Sequence, residues 1–101
     1  MKTRNPFGTK KETEKFCKKN SITYLGVFGS YARGDDHEGS DIDFLFRIDH
    51  SKRSFSLFDL VNLKDQLEDQ FDRPIDLVSK LNPYVEPYVQ NDLVTLYDEK
   101  R

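Results

Sequence analysis

One cysteine, Cys17, is the whole thiol inventory of the chain, so no internal disulfide can form. It stands beside Phe16 in a segment that reads as helix, where a small buried apolar residue is the expected role. No apolar run approaches the ~20 residues of a membrane span, and the first residues lack the continuous apolar core of a secretion signal. These absences point to a soluble protein of the reducing cytoplasm with no membrane partner. An excess of positive charge is missing too. Sixteen Lys and Arg face 18 Asp and Glu, a formal net charge of −2, so direct nucleic-acid binding is not expected. There are no internal repeats and no low-complexity tract, and nothing offers the Cys/His set that zinc prefers.

What is present suits one small domain over residues 1–101, of which residues 1–8, with Asn5, Pro6 and Gly8, read as a loose leader. At 36% hydrophobic and 34% charged residues the chain is globular with a heavily charged surface. From Thr9 to Lys19 acid comes early and base late, which complements a helix dipole, and Asn20 is read as its stop. Its lysines are expected on a solvated face. Residues 22–28, "ITYLGVF", read as a strand. Gly29-Ser30 breaks it, and "SYARG" reads as a short helix closed by Gly34.

After a polar loop, residues 41–48 read as a second strand with Ile42, Phe44, Phe46 and Ile48 on one face and Asp41, Asp43 and Leu45 on the other. From Phe55 to Phe71, Leu60, Leu63, Leu67 and Phe71 recur at spacings of 3, 4 and 4, an amphipathic helix that Asp72 and Arg73-Pro74 end. "PIDLVSK" reads as a third strand, "YVEPYVQNDL" as a short helix with Pro87 early, and "VTLYD" as a closing strand or turn. The fold class expected is α/β (α+β), a small sheet flanked by helices.

The chemistry concentrates between Phe28 and Phe46. Aspartate is depleted in strands, yet Asp41 and Asp43 leave one strand on the same face, where two like charges repel unless a cation lies between them. Hard carboxylate oxygens suit Mg²⁺ or Mn²⁺. A strand that turns through Gly29 into a helix presents free backbone N–H groups to a phosphate. The Ser30 hydroxyl can donate to a phosphate oxygen or cap the helix, and Arg33, one turn on, can reach the same anion. Asp76, set among apolar residues, is a third carboxylate if its strand lies beside residues 41–48.

Taken together, Gly29-Ser30, ten intervening residues and Asp41-Ile42-Asp43 resemble the signature of the nucleotidyltransferase superfamily that shares the DNA polymerase beta fold. "GSYARG" and the short chain look most like the minimal nucleotidyltransferases, antitoxin partners of HEPN-domain RNase toxins. The resemblance covers residues 22–97 and includes Asp76 in "PIDLV". It implies a polymerase beta palm-like fold with a mixed sheet. It implies ATP as nucleotide donor, with Gly29, Ser30 and Arg33 at its phosphates. Two Mg²⁺ ions would sit on the catalytic carboxylates Asp41, Asp43 and Asp76. The acceptor implied is a hydroxyl, typically tyrosine, of a HEPN toxin held in a hetero-oligomer. A contact-only antitoxin, or a transferase for a small molecule or RNA, are the rival readings.

The remaining polar residues are read as background. His37 and His50 are expected to be solvated, and Asp35, Asp36 and Glu38 to be loop charge. Tyr84, Tyr88 and Tyr97 are expected to pack partly buried.

Overall fold

The Thr9 hydroxyl accepts from the Glu12 amide at 3.1 Å and starts helix α1, Lys10–Lys19. Asn20 ends it, its side-chain amide donating to the Phe16 carbonyl at 2.9 Å. The structure, a computed structural model, describes residues 5–51, 54–79, 83–84 and 86–100. Over these the elements alternate: β1 (Ile22–Phe28), α2 (Gly29–Arg33), β2 (Ile42–Ile48), α3 (Leu57–Phe71), β3 (Ile75–Val78), α4 (Glu86–Asp92) and β4 (Val94–Asp98).

The four strands form one mixed sheet in the order β3-β2-β1-β4. β1 runs antiparallel to β2 and β4, whereas β2 and β3 are parallel, joined through α3. The period-2 alternation of β2 sends Phe44 and Phe46 into a core with Leu25, Val27, Ile75 and Leu96, closed by Cys17 of α1 and by Leu63 and Leu67 of α3. Phe44 is fully buried, and removing a ring of that size from water is worth about 2–3 kcal/mol. Burial pushes the Cys17 thiol up to about 12, so it behaves as an inert apolar group.

Several expectations need correction. Residues 1–4 of the expected loose leader lie outside the described residues, and residues 5–8 are not loose: Phe7 is buried between Phe16 and Phe71, both with ring centroids at 5.1 Å, and Asn5 bonds to the Thr13 hydroxyl at 2.9 Å. The apolar ring, not the turn residues around it, decides the path of that segment. α3 starts at Leu57 rather than Phe55, because Ser56 and Asp59 form a reciprocal capping box that fixes the first turn. β2 starts at Ile42, leaving Asp41 one residue outside it. β3 is only four residues, and Lys80 of the expected strand lies outside the described residues. The closing segment is a strand, β4. Tyr84 and Tyr88 are exposed rather than packed, while Tyr97 is half-buried as expected.

Candidate active site

Two pairings converge on Asp43. In the parallel ladder Asp43 stands abreast of Asp76, and in the antiparallel one it stands abreast of Phe28, the residue before Gly29. Residues abreast in a ladder project to the same face from strands ~4.8 Å apart. The topology therefore brings Asp76 to the aspartate pair from 33 residues away. The Asp43 carboxyl is half-buried, and it is pushed up to about 6 by that burial first, then by the negative charges of Asp76 and Asp41; the Arg33 guanidinium opposes the rise. Asp41 and Asp76 themselves are exposed.

Gly29 lies against this carboxylate. Its φ is +74°, and a Cβ there would fall on Asp43 Oδ2 and come within 3.3 Å of Cγ. The glycine is thus required at two levels, by its left-handed backbone and by the side chain it admits. Phe28 occupies the N-cap position of α2 and no side chain caps that first turn. Ser30 is therefore inside the helix, not its cap, and its hydroxyl has no hydrogen bond within the described residues. α2 has only five residues, so what it offers an anion is a few free N–H groups more than a full helix dipole. Gly34, at φ +83°, closes it.

Arg33 is not free. It bonds to Asp35 at 3.1 Å through Nε and to Asp92 at 2.6 Å through a terminal nitrogen, linking α2 to α4. Both carboxylates hold its pKa above the ordinary value. His37 and His50 are exposed, and so are Asp35 and Glu38. Asp36 departs from the expectation of loop charge. Its side chain is 8% exposed and pairs with Arg73 at 2.9 Å. Arg73 had read only as the end of a helix; its partners are loop groups 33 or more positions away in sequence, which no local pattern marks.

The donor chemistry fits a hard divalent cation. Three carboxylates share one patch, and their mutual repulsion is what a cation relieves. Among the described residues no three acidic, histidine or cysteine side chains are close enough to enclose an ion by themselves. That is no obstacle for Mg²⁺, which is commonly held by one or two carboxylates together with substrate phosphates. No helix of the described residues is long and apolar enough to cross a membrane.

Residues 10–98 match the nucleotidyltransferase domain family. The chain belongs to that family, and it is a nucleotidyltransferase. A provisionally named protein adenylyltransferase of Methanocaldococcus jannaschii is 35% identical over 88 residues, 84% of this chain and 87% of the relative. A solved minimal nucleotidyltransferase superposes with a TM-score of 0.67 at 30% identity, covering 84% of this chain and 86% of the other. Two toxin–antitoxin complexes share the fold. One, with AMP-PNP, gives a TM-score of 0.70 at 21% identity over 89% of this chain and 73% of the other. The other, a tri-AMPylated HEPN toxin with its MNT antitoxin from Shewanella oneidensis, gives 0.62 at 18% over 90% and 71%.

Proposed function

We propose that this chain is an antitoxin that transfers AMP from ATP to a tyrosine hydroxyl of a partner HEPN-domain RNase toxin, releasing pyrophosphate and inactivating the toxin. The observation that carries the reading is the register that sets Asp43 abreast of Asp76 with Gly29 against the same carboxylate. Nothing in folding requires that concentration of negative charge, and it costs stability. Kinship to protein adenylyltransferases supports AMP as the group transferred, and the likeness in fold to an antitoxin in complex with an AMPylated HEPN toxin favours that class of acceptor.

In this reading the backbone N–H groups at Gly29 and Ser30, with the Ser30 hydroxyl, bind the triphosphate. Asp41, Asp43 and Asp76 are the carboxylates that would hold Mg²⁺, which when bound neutralises charge developing on the phosphoryl and pyrophosphate oxygens. Asp76, on the outer strand, takes the proton of the incoming hydroxyl, whose oxygen forms its bond to the α-phosphorus as the bond to pyrophosphate breaks. The exposed apolar residues Leu57, Phe58 and Val61 at the start of α3 offer the sort of surface a protein partner covers.

The test is incubation of the purified chain with ATP, Mg²⁺ and a HEPN-domain protein sought in the neighbouring gene, followed by intact-mass and peptide mass spectrometry. Substoichiometric chain should add AMP to a toxin tyrosine and abolish RNase activity. The double variant Asp41→Asn with Asp43→Asn should do neither. Full protection by that variant at equimolar ratio, without nucleotide, would leave a contact-only antitoxin.

A further inference from the structure

Arg73 spends its whole guanidinium on the segment that leads into the aspartate pair. Nε donates to the Ser40 carbonyl at 2.9 Å, one terminal nitrogen donates to the His37 carbonyl at 3.4 Å, and the other pairs with Asp36 at 2.9 Å. The ring of Tyr31, one residue past Ser30, lies under it at 5.5 Å. Arg73 side-chain exposure is 19% and that of Asp36 is 8%, so the pair is largely shielded from water. A shielded ion pair is weak evidence for net stability, since desolvation offsets most of its attraction; what it does well is select one geometry.

The location explains which geometry. Ser40 immediately precedes Asp41, and Arg73 stands three residues before Asp76. Residues 35–41 contain no helix or strand to hold them. Pairing of β2 with β3 begins only at Ile42, whose amide bonds to the Pro74 carbonyl at 3.0 Å. Asp41 therefore lies outside the ladder that fixes Asp43 and Asp76. Its backbone needs another anchor, and a rigid, planar fork of donors meeting two carbonyls and a carboxylate provides one.

We propose that Arg73 is a positioning residue: through Ser40, His37 and Asp36 it holds Asp41 in register with Asp43 and Asp76, and through Tyr31 it sets that group against the phosphate-binding turn. This role rests on the nucleotidyltransferase site described above. Lysine cannot replace it, because a single ammonium cannot meet three acceptors in a plane.

Two measurements on Arg73→Ala, Arg73→Lys and Asp36→Asn test the proposal. The first is amide hydrogen exchange without ligand. Arg73→Ala should raise exchange of residues 37–43 by about tenfold or more with β1 and β4 unchanged; Arg73→Lys should give most of that rise and Asp36→Asn a smaller one. The second is Mn²⁺ binding by electron paramagnetic resonance, with AMP-PNP present. Arg73→Ala should weaken it roughly tenfold, the usual cost of losing a residue that orients a ligand. If Arg73→Ala does not fold, Arg73→Lys and Asp36→Asn carry both measurements. Exchange unchanged across 37–43, a uniform rise over the whole sheet, or Mn²⁺ affinity unchanged despite a lower Tm would each overturn the role and leave a plain brace. Wild type that binds no Mn²⁺ would overturn the metal reading of the site and this role with it, whatever the exchange shows.

Discussion

Asp43 and Asp76 stand side by side in the parallel pairing of β2 with β3, and both carboxylates leave the sheet on the face that carries Gly29. The Asp43 carboxyl, the more buried of the two, rises from 3.8 to about 6, through that burial first and then through the negative charge of Asp76 beside it and of Asp41.

Stability should therefore fall as pH rises across this window. The folded state holds the Asp43 proton up to about pH 6, whereas the unfolded chain releases it near 3.8, so the native state binds more protons between the two values. The penalty is fully present above pH 6 and absent below pH 4. After solvent screening it should amount to about 1–2 kcal/mol. Thermal melts from pH 4 to 7 should show wild type losing a few degrees that Asp43→Asn retains. Mg²⁺ should return part of the loss to wild type only. Identical profiles for the two proteins would contradict the electrostatic account.

Gly29→Ala should be costly for its size. The left-handed φ alone costs about 1–2 kcal/mol in an L-residue, and the new methyl meets the Asp43 carboxylate. Both Tm and nucleotide affinity should drop. Ser30→Ala should separate the two, leaving folding stability within ~0.5 kcal/mol of wild type while weakening AMP-PNP binding by about 1–2 kcal/mol, measured by calorimetry. A Ser30→Ala variant with unchanged affinity would remove the hydroxyl from the phosphate site.

The contrast between Asp76 and Arg73 shows what the sequence could disclose. Asp76 was legible because a charge among Ile75, Leu77 and Val78 contradicts an apolar strand, and such conflicts gather at functional sites. β2 was legible for the same reason, its alternation separating Phe44 and Phe46 from Asp43. Arg73 looked ordinary after a helix; its hydrogen bonds go to carbonyls of a distant loop, whose positions exist only once β3 has paired with β2. Phe7 was hidden by its neighbours: Asn5, Pro6 and Gly8 describe the local turn correctly, but the tertiary pocket formed by Phe16, Phe44 and Phe71 decides where the ring goes.

Phe7→Ala should accordingly destabilise the fold by about 3 kcal/mol, the usual scale for deleting a buried ring. Phe7→Leu, which keeps most of the volume, should cost less than ~1.5 kcal/mol. Urea titration of the two variants is the check. Equal midpoints for Phe7→Ala and wild type would restore the view of residues 5–8 as a loose leader.

Arg33 allows a sharper experiment, because its two possible roles predict opposite signs for one substitution. As found, it is shared between Asp35 and Asp92, and an exposed pair of this kind contributes only ~0–1 kcal/mol to stability. It is also close enough to Asp43 for its charge to oppose the rise of that carboxyl, so in the proposed site it would also act on the phosphates of a bound nucleotide. If Arg33 turns to the triphosphate, Asp92 competes for it. Asp92→Asn should then tighten AMP-PNP binding several-fold while slightly lowering Tm, and Arg33→Ala should weaken binding by about 1.5–3 kcal/mol, the range for a hydrogen bond to a charged group. If Arg33 only braces α2 against α4, both substitutions loosen the same contact, and both should weaken binding together with Tm. Calorimetric affinities for the two variants, at low and moderate salt, separate the cases: tightening by Asp92→Asn that fades as salt rises identifies a phosphate ligand held in reserve, and parallel losses remove Arg33 from the nucleotide site.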